Sequence, residues 1–233
     1  MIGTIINFFA IIVGSFIGLF FGSKLPENLK NTVISGMGLF TTAVGIQMFL
    51  KTENPLIDLG ALVLGAILGE WVNIEEAVKR LGVWLEQKFS GSSEGSGSNF
   101  VRGFLSSSVL FCTGPMAVLG AISDGLKGDY LTLSIKSIMD GIIAIAFTST
   151  LGIGVAFSSL PVFAYQGGIS LLAAQLNAII SESMMNEMTA TGGVLLMGIG
   201  VSSLLELKKI RVANFLPALL FAPLIAYLLD TLL

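Results

Sequence analysis

Two residues of opposite charge lie one helical turn apart in a largely apolar stretch of the chain. Lys136 and Asp140 are four positions apart in the run YLTLSIKSIMDGIIAIAFTST, residues 130–150, so a helix places them on one face. If that helix crosses a membrane, each charge at its centre costs about 2.5–3.5 kcal/mol even on the most lenient insertion scale. The pair is therefore either a structural ion pair that locks helices together or a site for a proton, a cation or a substrate.

A helix break is predicted shortly before this pair. The sequence Cys112-Thr113-Gly114-Pro115 interrupts an apolar run, and proline removes a backbone donor and clashes with the preceding turn. Carbonyl groups freed in this way are tolerated at membrane depth only inside protein or beside a water-filled cavity. The alternative to a binding site is a simple kink that serves packing.

Together these features predict one substrate- or ion-binding site. Asn186, in the polar run SESMMNEMTATGG at residues 181–193, is assigned to the same site, with helix capping as its alternative role. The predicted members are Cys112, Thr113, Gly114, Pro115, Lys136, Ser137, Asp140 and Asn186.

The composition argues against several other kinds of chemistry. The chain has no histidine and one cysteine, which removes the commonest general base and excludes an internal disulfide or a multi-thiolate metal site. A membrane aspartyl protease needs a Gly-x-Gly-Asp motif, and the nearest run, GLKGD, lacks that spacing. The net charge is −3 without a basic stripe, which argues against a nucleic-acid partner. We therefore expect no enzyme activity, no catalytic residue, no metal and no cofactor.

Membrane-spanning helices must position these residues. Of the 233 residues, 54% are hydrophobic and 12% are charged, about half the charged fraction of a soluble domain. An all-α integral membrane protein is predicted, with the lipid bilayer as a partner. Residues 151–160 either extend the fifth span or form a re-entrant segment. Eight stretches approach the length of about 20 residues that a crossing needs: residues 2–23, 31–50, 55–72, 100–123, 131–150, 160–181, 189–206 and 212–232.

The Lys and Arg residues predict the orientation, because cytoplasmic loops carry an excess of both. With eight crossings, nine of the 12 Lys and Arg residues fall on one face. That face is predicted to be cytoplasmic, which leaves both termini outside.

Four segments are predicted along the chain. Residues 73–89 carry apolar side chains at helical spacing, as in a helix on the membrane surface, although a plain connector helix is the alternative. The run SGSSEGSGS at residues 90–98 is typical of a flexible linker. The segments are a three-span repeat at 1–72, the surface helix and linker at 73–98, a central broken-helix pair at 99–159 and a second three-span repeat at 160–233.

The two three-span segments resemble each other at an offset of 154–155 residues. Phe9-Ala10 aligns with Phe163-Ala164, and Gly38 aligns with Gly193. The matched loops have opposite Lys and Arg bias, as inverted repeats require, and such repeats are common in secondary transporters. Chance similarity between glycine-rich apolar segments is the alternative.

A homo-oligomer, most simply a dimer, is predicted from the glycine spacing. Gly14, Gly18 and Gly22 form a small-residue face on the first span, and such faces let helices approach closely. The same faces could instead be filled within one chain.

The run CTGPMAVLGAISDGLKGDYLTLSIKSIMDGIIAIAFTSTLGIGVAFSS, residues 112–159, resembles an uncharacterised bacterial membrane-protein family. This is domain of unknown function 554, whose members are called YdfK-like or YqgA-like, and the resemblance extends to both ends of the chain. It implies a multi-span protein of the bacterial inner membrane and implies no substrate. The family's motif residues fall on Thr113, Gly114, Pro115, Asp124, Asp129, Lys136, Ser137 and Asp140.

The function that these features favour is membrane transport. A secondary transporter or channel would move a small solute or ion through a site near the midplane. The alternatives are a sensor or assembly protein that uses helix 73–89 as its output, and an intramembrane enzyme.

Overall fold

The computed structural model describes residues 1–22, 26–78, 80, 84, 97–112 and 115–232. Within these residues the chain is helical and contains no β-strand. A π-helical turn at Gly200–Leu204 and a 3-10 turn at Val212–Phe215 precede the last helix. The helices are α1 (Ile2–Gly22), α2 (Glu27–Phe49), α3 (Pro55–Val72), α4 (Gly97–Cys112), α5 (Pro115–Lys127), α6 (Leu131–Leu151), α7 (Gly154–Phe157), α8 (Ser159–Leu171), α9 (Ala173–Asn177), α10 (Glu182–Ile199) and α11 (Ala218–Leu232).

Helix α3 shows how the local sequence fixes helix ends. Asn54 Oδ1 accepts a hydrogen bond from Leu56 N at 3.2 Å, and Pro55 holds the first helical position, where its missing N–H is not needed. Asn73 ends the helix in the left-handed conformation, with φ of 60°. Of the predicted surface helix at 73–89, residues 74–78, 80 and 84 are helical. The rest of it, and residues 90–96 of the predicted linker, lie outside the described residues.

Five described helical segments are long and apolar enough to cross a membrane. A sixth is added if the bent pair α4–α5 counts as one span. The chain is therefore multi-pass, but only part of the predicted set of eight crossings meets this test. The predicted span at residues 160–181 is divided at Leu172 between α8 and α9. The predicted span at residues 189–206 belongs mainly to α10, which begins in a polar run. The five segments are Ile2–Gly22, Asn31–Phe49, Pro55–Val72, Leu131–Leu151 and Val212–Thr231.

The predicted break in the fourth span is present. Helix α4 ends at Cys112 and α5 begins at Pro115, and the two helices are bent by 61°. Proline suits the first turn of a helix because its φ is already helical. Pro115 thus starts the second helix, while Thr113 and Gly114 lie outside the described residues.

Residues 151–160 do not extend the fifth span. Helix α6 ends at Leu151, and Gly152 has φ of 79°, a conformation that glycine adopts without strain. The one-turn helix α7 follows, and α8 starts at Ser159. The segment is a short helical connection between α6 and α8.

The chain forms two compact units, each assembled from separate segments. Unit 1 contains Met1–Ile34 and Gly82–Ile179, and unit 2 contains Ser35–Leu81 and Ile180–Leu233. The predicted segments follow chain order instead, and that division stays a prediction.

In unit 1, α1 and α6 run parallel with their backbones in contact. A Cβ on Gly14 would collide with the carbonyl oxygen of Gly141, and a Cβ on Gly18 would collide with that of Ile145. The glycine face of α1 therefore allows an approach that any larger side chain would prevent.

In unit 2, α3 packs antiparallel to α11 through small residues. Ala61, Ala218 and Ala222 are fully buried together, and a Cβ on Gly65 would lie 2.6 Å from Ala218 N. A Cβ on Gly45 of α2 would lie 2.6 Å from the carbonyl oxygen of Gly193 in α10. Small-residue faces in both units are thus filled within one chain. They no longer argue for a homodimer, which stays a prediction without that support.

Candidate functional site

The two charges predicted from their spacing form an ion pair. Lys136 Nζ bonds to Asp140 Oδ2 on the same face of α6, and each side chain is 7% exposed. Burial removes both charges from water, so each depends on the other and on nearby dipoles for stabilisation.

Two buried amides extend the ion pair into a network within unit 1. Asn7 Nδ2 of α1 donates to Asp140 Oδ2 at 3.0 Å and to Gln166 Oε1 of α8 at 3.3 Å. Both amide side chains are fully buried. Three helices therefore contribute one side chain or more to a continuous polar network in an apolar environment.

An aromatic ring and the cysteine lie near the lysine. Lys136 Nζ lies 5.8 Å from the ring centre of Phe111, a distance at which the ring face attracts a cation. Cys112 follows Phe111 at the end of α4 and lies within electrostatic range of Lys136 and Asp140. Of the predicted site residues, Cys112 thus lies in the neighbourhood of the charged pair.

Several polar atoms of this unit have no hydrogen-bond partner among the described residues. Asn7 Oδ1 is a free acceptor and Gln166 Nε2 is a free donor. Buried polar atoms are normally paired. A second group consists of buried hydroxyl groups without a partner, which belong to Thr4, Ser15, Ser106, Ser107, Ser108 and Thr148. This surplus of unpaired groups is what a site for a polar guest would present.

Of the other predicted site residues, one bonds within its own helix, one begins a helix, two lie outside the described residues and one belongs to unit 2. Ser137 Oγ donates to its own helix, to Leu133 O at 2.6 Å, so its hydroxyl is already used. Pro115 starts α5, and Thr113 and Gly114 lie outside the described residues. Asn186 belongs to unit 2, where its Nδ2 donates to Glu53 Oε1 at 2.7 Å.

A second polar cluster, in unit 2, centres on Glu187. This fully buried carboxylate accepts hydrogen bonds from Thr52 Oγ1 at 2.7 Å, Glu53 N at 2.8 Å and Asn54 N at 3.0 Å. It therefore fastens the turn that leads into α3, where free backbone N–H groups favour an anion. Helix capping was the predicted alternative for Asn186; Glu187 performs a comparable task for a different helix.

Two aspartates are more buried than their positions in the sequence indicate. Asp58 is 2% exposed and accepts from Thr191 Oγ1 at 2.6 Å. Asp124 is 3% exposed and accepts from Gly3 N at 3.0 Å. Both lie near the predicted ends of spans, where a solvated position is the usual expectation, and both are held by contacts to distant segments.

Asn7 and Gln166 are the site residues that the sequence reasoning missed. Each was visible as an amide within an apolar run, in NFFAIIVGS and PVFAYQGGIS. A polar residue that lies within a membrane span usually faces the interior of the bundle. That signal marks both residues, although it does not reveal that they meet.

Comparison with known proteins identifies the family. The family model described as "Protein of unknown function (DUF554)" matches residues 2–227. The chain belongs to this family. The chain is 33% identical over 233 residues to the uncharacterized membrane protein YdfK of Bacillus subtilis strain 168, covering 98% of this chain and 97% of YdfK. It is 32% identical over 223 residues to the uncharacterized protein YqgA of Escherichia coli K12, covering 95% of this chain and 94% of YqgA. No solved structure matches.

Membership of DUF554 confirms the resemblance drawn from the sequence. The name of YdfK agrees with a membrane protein, as the apolar helices indicate. The function has to be argued from the buried network of unit 1.

Proposed function

We propose that the protein is a membrane transport protein, either a secondary transporter or a channel, that moves a small solute or ion. The site is the network of Asn7, Lys136, Asp140 and Gln166, with Cys112 beside it. The proposal includes eight crossings, and it includes inverted repeats formed by spans one to three and six to eight.

The observation that carries the proposal is the buried, partly unpaired polar network. Two charges and two amides lie together at 7% exposure or less, and one acceptor and one donor of the amides have no partner among the described residues. A pair that only locked helices would gain from full pairing of its neighbours, since each unpaired buried group costs about 1–3 kcal/mol. A solute that passes through the protein and forms hydrogen bonds with these groups would offset this free-energy cost.

The directions of packed helices support eight crossings. Helices α1 and α6 belong to the first and fifth predicted spans, which cross in the same direction, and they are parallel. Within unit 2, α2 and α10 belong to the second and seventh spans, which cross in opposite directions. Gly45 faces Gly193, whereas Gly38 faces Leu205, so these two helices are antiparallel.

The contacts between α2 and α10 support the inverted repeats. An offset of 155 residues carries Gly45 to Gly200 and Gly38 to Gly193. A Cβ on Gly45 would lie 2.6 Å from Gly193 O, and a Cβ on Gly200 would lie 2.9 Å from Gly38 O. Replacing Gly45 and Gly193 by their repeat counterparts, Gly200 and Gly38, turns the first contact into the second. A local twofold relation between repeat counterparts produces this reciprocity.

The other counterpart spans also pack together in pairs. In unit 1, the rings of Phe8 and Phe163 are 5.4 Å apart, and these residues are 155 positions apart. In unit 2, Gly65 meets Ala218, at a separation of 153 positions. Both contacts join spans that the repeat relates, the first with the sixth and the third with the eighth, and both lie within two residues of the offset of 154–155.

The proposal is tested with purified protein in lipid vesicles. Asp140→Asn, Lys136→Ala and the double variant are compared for thermal unfolding and for flux of labelled cations, anions and zwitterions. We expect Asp140→Asn to fold and to lose saturable flux, and the double variant not to recover it. The control is the double change Lys127→Ala and Glu182→Gln, which alters two exposed charges and leaves flux unchanged.

Two results would count against transport. Recovery of both stability and flux in the Lys136/Asp140 double variant would mean that the pair is structural. Absence of Asp140-dependent flux for all three solute classes would remove the proposed function.

A further inference from the structure

The charges of the unit 1 network constrain what it can bind. Lys136 and Asp140 neutralise each other, and Asn7 and Gln166 are uncharged. A cation entering the network would meet the ammonium group of Lys136, and an anion would meet the carboxylate of Asp140. Adding a net charge to a buried site costs several kcal/mol unless a partner accompanies it.

A guest that carries both charges avoids this cost. When the pair opens, a carboxylate on the guest can take the place of Asp140 beside Lys136. An ammonium group on the same guest can take the place of Lys136 beside Asp140. The net charge of the low-dielectric interior stays at zero, because one ion pair becomes two.

The unpaired atoms of the amides match the two ends of such a guest. Within the part of the chain that the structure describes, Asn7 Oδ1 is an acceptor without a donor, which suits an ammonium group. Gln166 Nε2 is likewise a donor without an acceptor there, which suits a carboxylate. The ring of Phe111 lies 5.8 Å from Lys136 Nζ. The face of an aromatic ring attracts cations, so this ring suits the ammonium group of Lys136 and that of the guest.

Serine hydroxyls continue the polar lining along α4. Ser107 precedes Phe111 by four residues, one turn of the same helix, and both side chains are fully buried. The Ser107 hydroxyl has no partner among the described residues. A hydroxyl group can donate to a carboxylate or accept from an ammonium group, so this helix face suits both ends of the guest.

We infer that the site takes a small zwitterion of the α-amino acid type, whose carboxylate binds Lys136 and Gln166 and whose ammonium group binds Asp140 and Asn7. This inference rests on the proposed transport function and names its substrate class. The ammonium and carboxylate groups of an α-amino acid are attached to the same carbon atom, so both lie within reach of one Lys–Asp pair.

The test compares alanine with two analogues that each lack one of its charges. Wild-type protein in lipid vesicles is challenged with labelled L-alanine in competition with unlabelled alanine, propionate or ethylamine. Unlabelled alanine should compete, whereas the analogues should compete at least about tenfold more weakly, because each forgoes a charge-assisted contact. Equal competition by either analogue would overturn the inference.

Variants locate the binding site. Gln166→Leu should weaken alanine binding by about tenfold or more, Gln166→Asn less so, and the control Ser134→Ala not at all. Unchanged binding in Gln166→Leu, or in the Lys136→Ala and Asp140→Asn double variant, would overturn the assignment. Asp140-dependent flux of a simple cation without alanine binding would leave transport standing and remove the zwitterion. Absence of Asp140-dependent flux for every solute class would remove both.

Discussion

At the scale of single residues, Glu187 shows how unit 2 holds a buried carboxylate. Three donors from residues 52–54 converge on its two oxygen atoms at 2.7–3.0 Å. Hydrogen bonds to a charged group contribute about 1.5–3 kcal/mol each in favourable cases. The turn before α3 therefore depends on one side chain from α10.

Replacing Glu187 with glutamine should destabilise the protein. The variant keeps one carbonyl oxygen but loses the charge and places an NH2 group against backbone donors, so we expect a loss of about 2–3 kcal/mol. Thermal unfolding in detergent measures it. Glu182→Gln is the matched control on the same helix, since Glu182 is exposed and should change stability by less than about 0.5 kcal/mol. Equal effects of the two changes would contradict the role of Glu187.

Thr191 offers a second test in the same unit. Its hydroxyl donates to Asp58 Oδ1 at 2.6 Å, while Asp58 Oδ2 has no partner among the described residues. Thr191→Val preserves the shape and leaves the buried carboxylate without this donor, which should cost about 1–3 kcal/mol. Adding Asp58→Asn should recover part of that loss, as measured by unfolding of the single and double variants. No recovery would mean that the carboxylate charge is not what the hydroxyl stabilises.

The residues of the candidate site were predictable to different degrees. Lys136 and Asp140 are four positions apart, so helix geometry alone places them together. Asn7 and Gln166 are 159 positions apart, and no local rule relates them. Their contact depends on how α1 and α8 pack, which a single sequence does not specify.

At the scale of helices, the contact between α1 and α6 depends on glycine. Gly14→Ala places a methyl group against the carbonyl oxygen of Gly141, and overpacking of this kind costs about 1–3 kcal/mol. Gly168→Ala in α8 is the matched control, because a Cβ there meets no atom within 4 Å. The control should gain up to about 1 kcal/mol from helix propensity. Thermal unfolding of both variants checks the difference, and equal shifts would show that the two helices separate easily.

Helix breaks were predictable only where the chemistry is local. Pro115 removes a donor wherever it occurs in a helix, and the bend between α4 and α5 follows from it. No proline marks the interruption at Leu172, between α8 and α9. The apolar pattern of residues 160–181 therefore predicted one continuous span.

At the scale of the whole molecule, the orientation is still a prediction from charge. In the predicted eight-span topology, nine of the 12 Lys and Arg residues would lie on one face, and an excess of Lys and Arg favours the cytoplasmic side. Reporter fusions should therefore show residues 90–98 inside and the C-terminus outside. A periplasmic reporter that is active in the linker and silent at the C-terminus would reverse the topology.

The parallel pairing of α1 with α6 has a consequence for synthesis. Asn7 finds its partner Asp140 only after 133 further residues have been made. At bacterial or eukaryotic elongation rates of 5–20 residues per second, that interval is roughly 7–27 s. During this time α1 lacks the acceptor for its Asn7 amide and the helix that fills its glycine face. The polar site is therefore completed only late in synthesis, and the order of translation becomes part of how it is assembled.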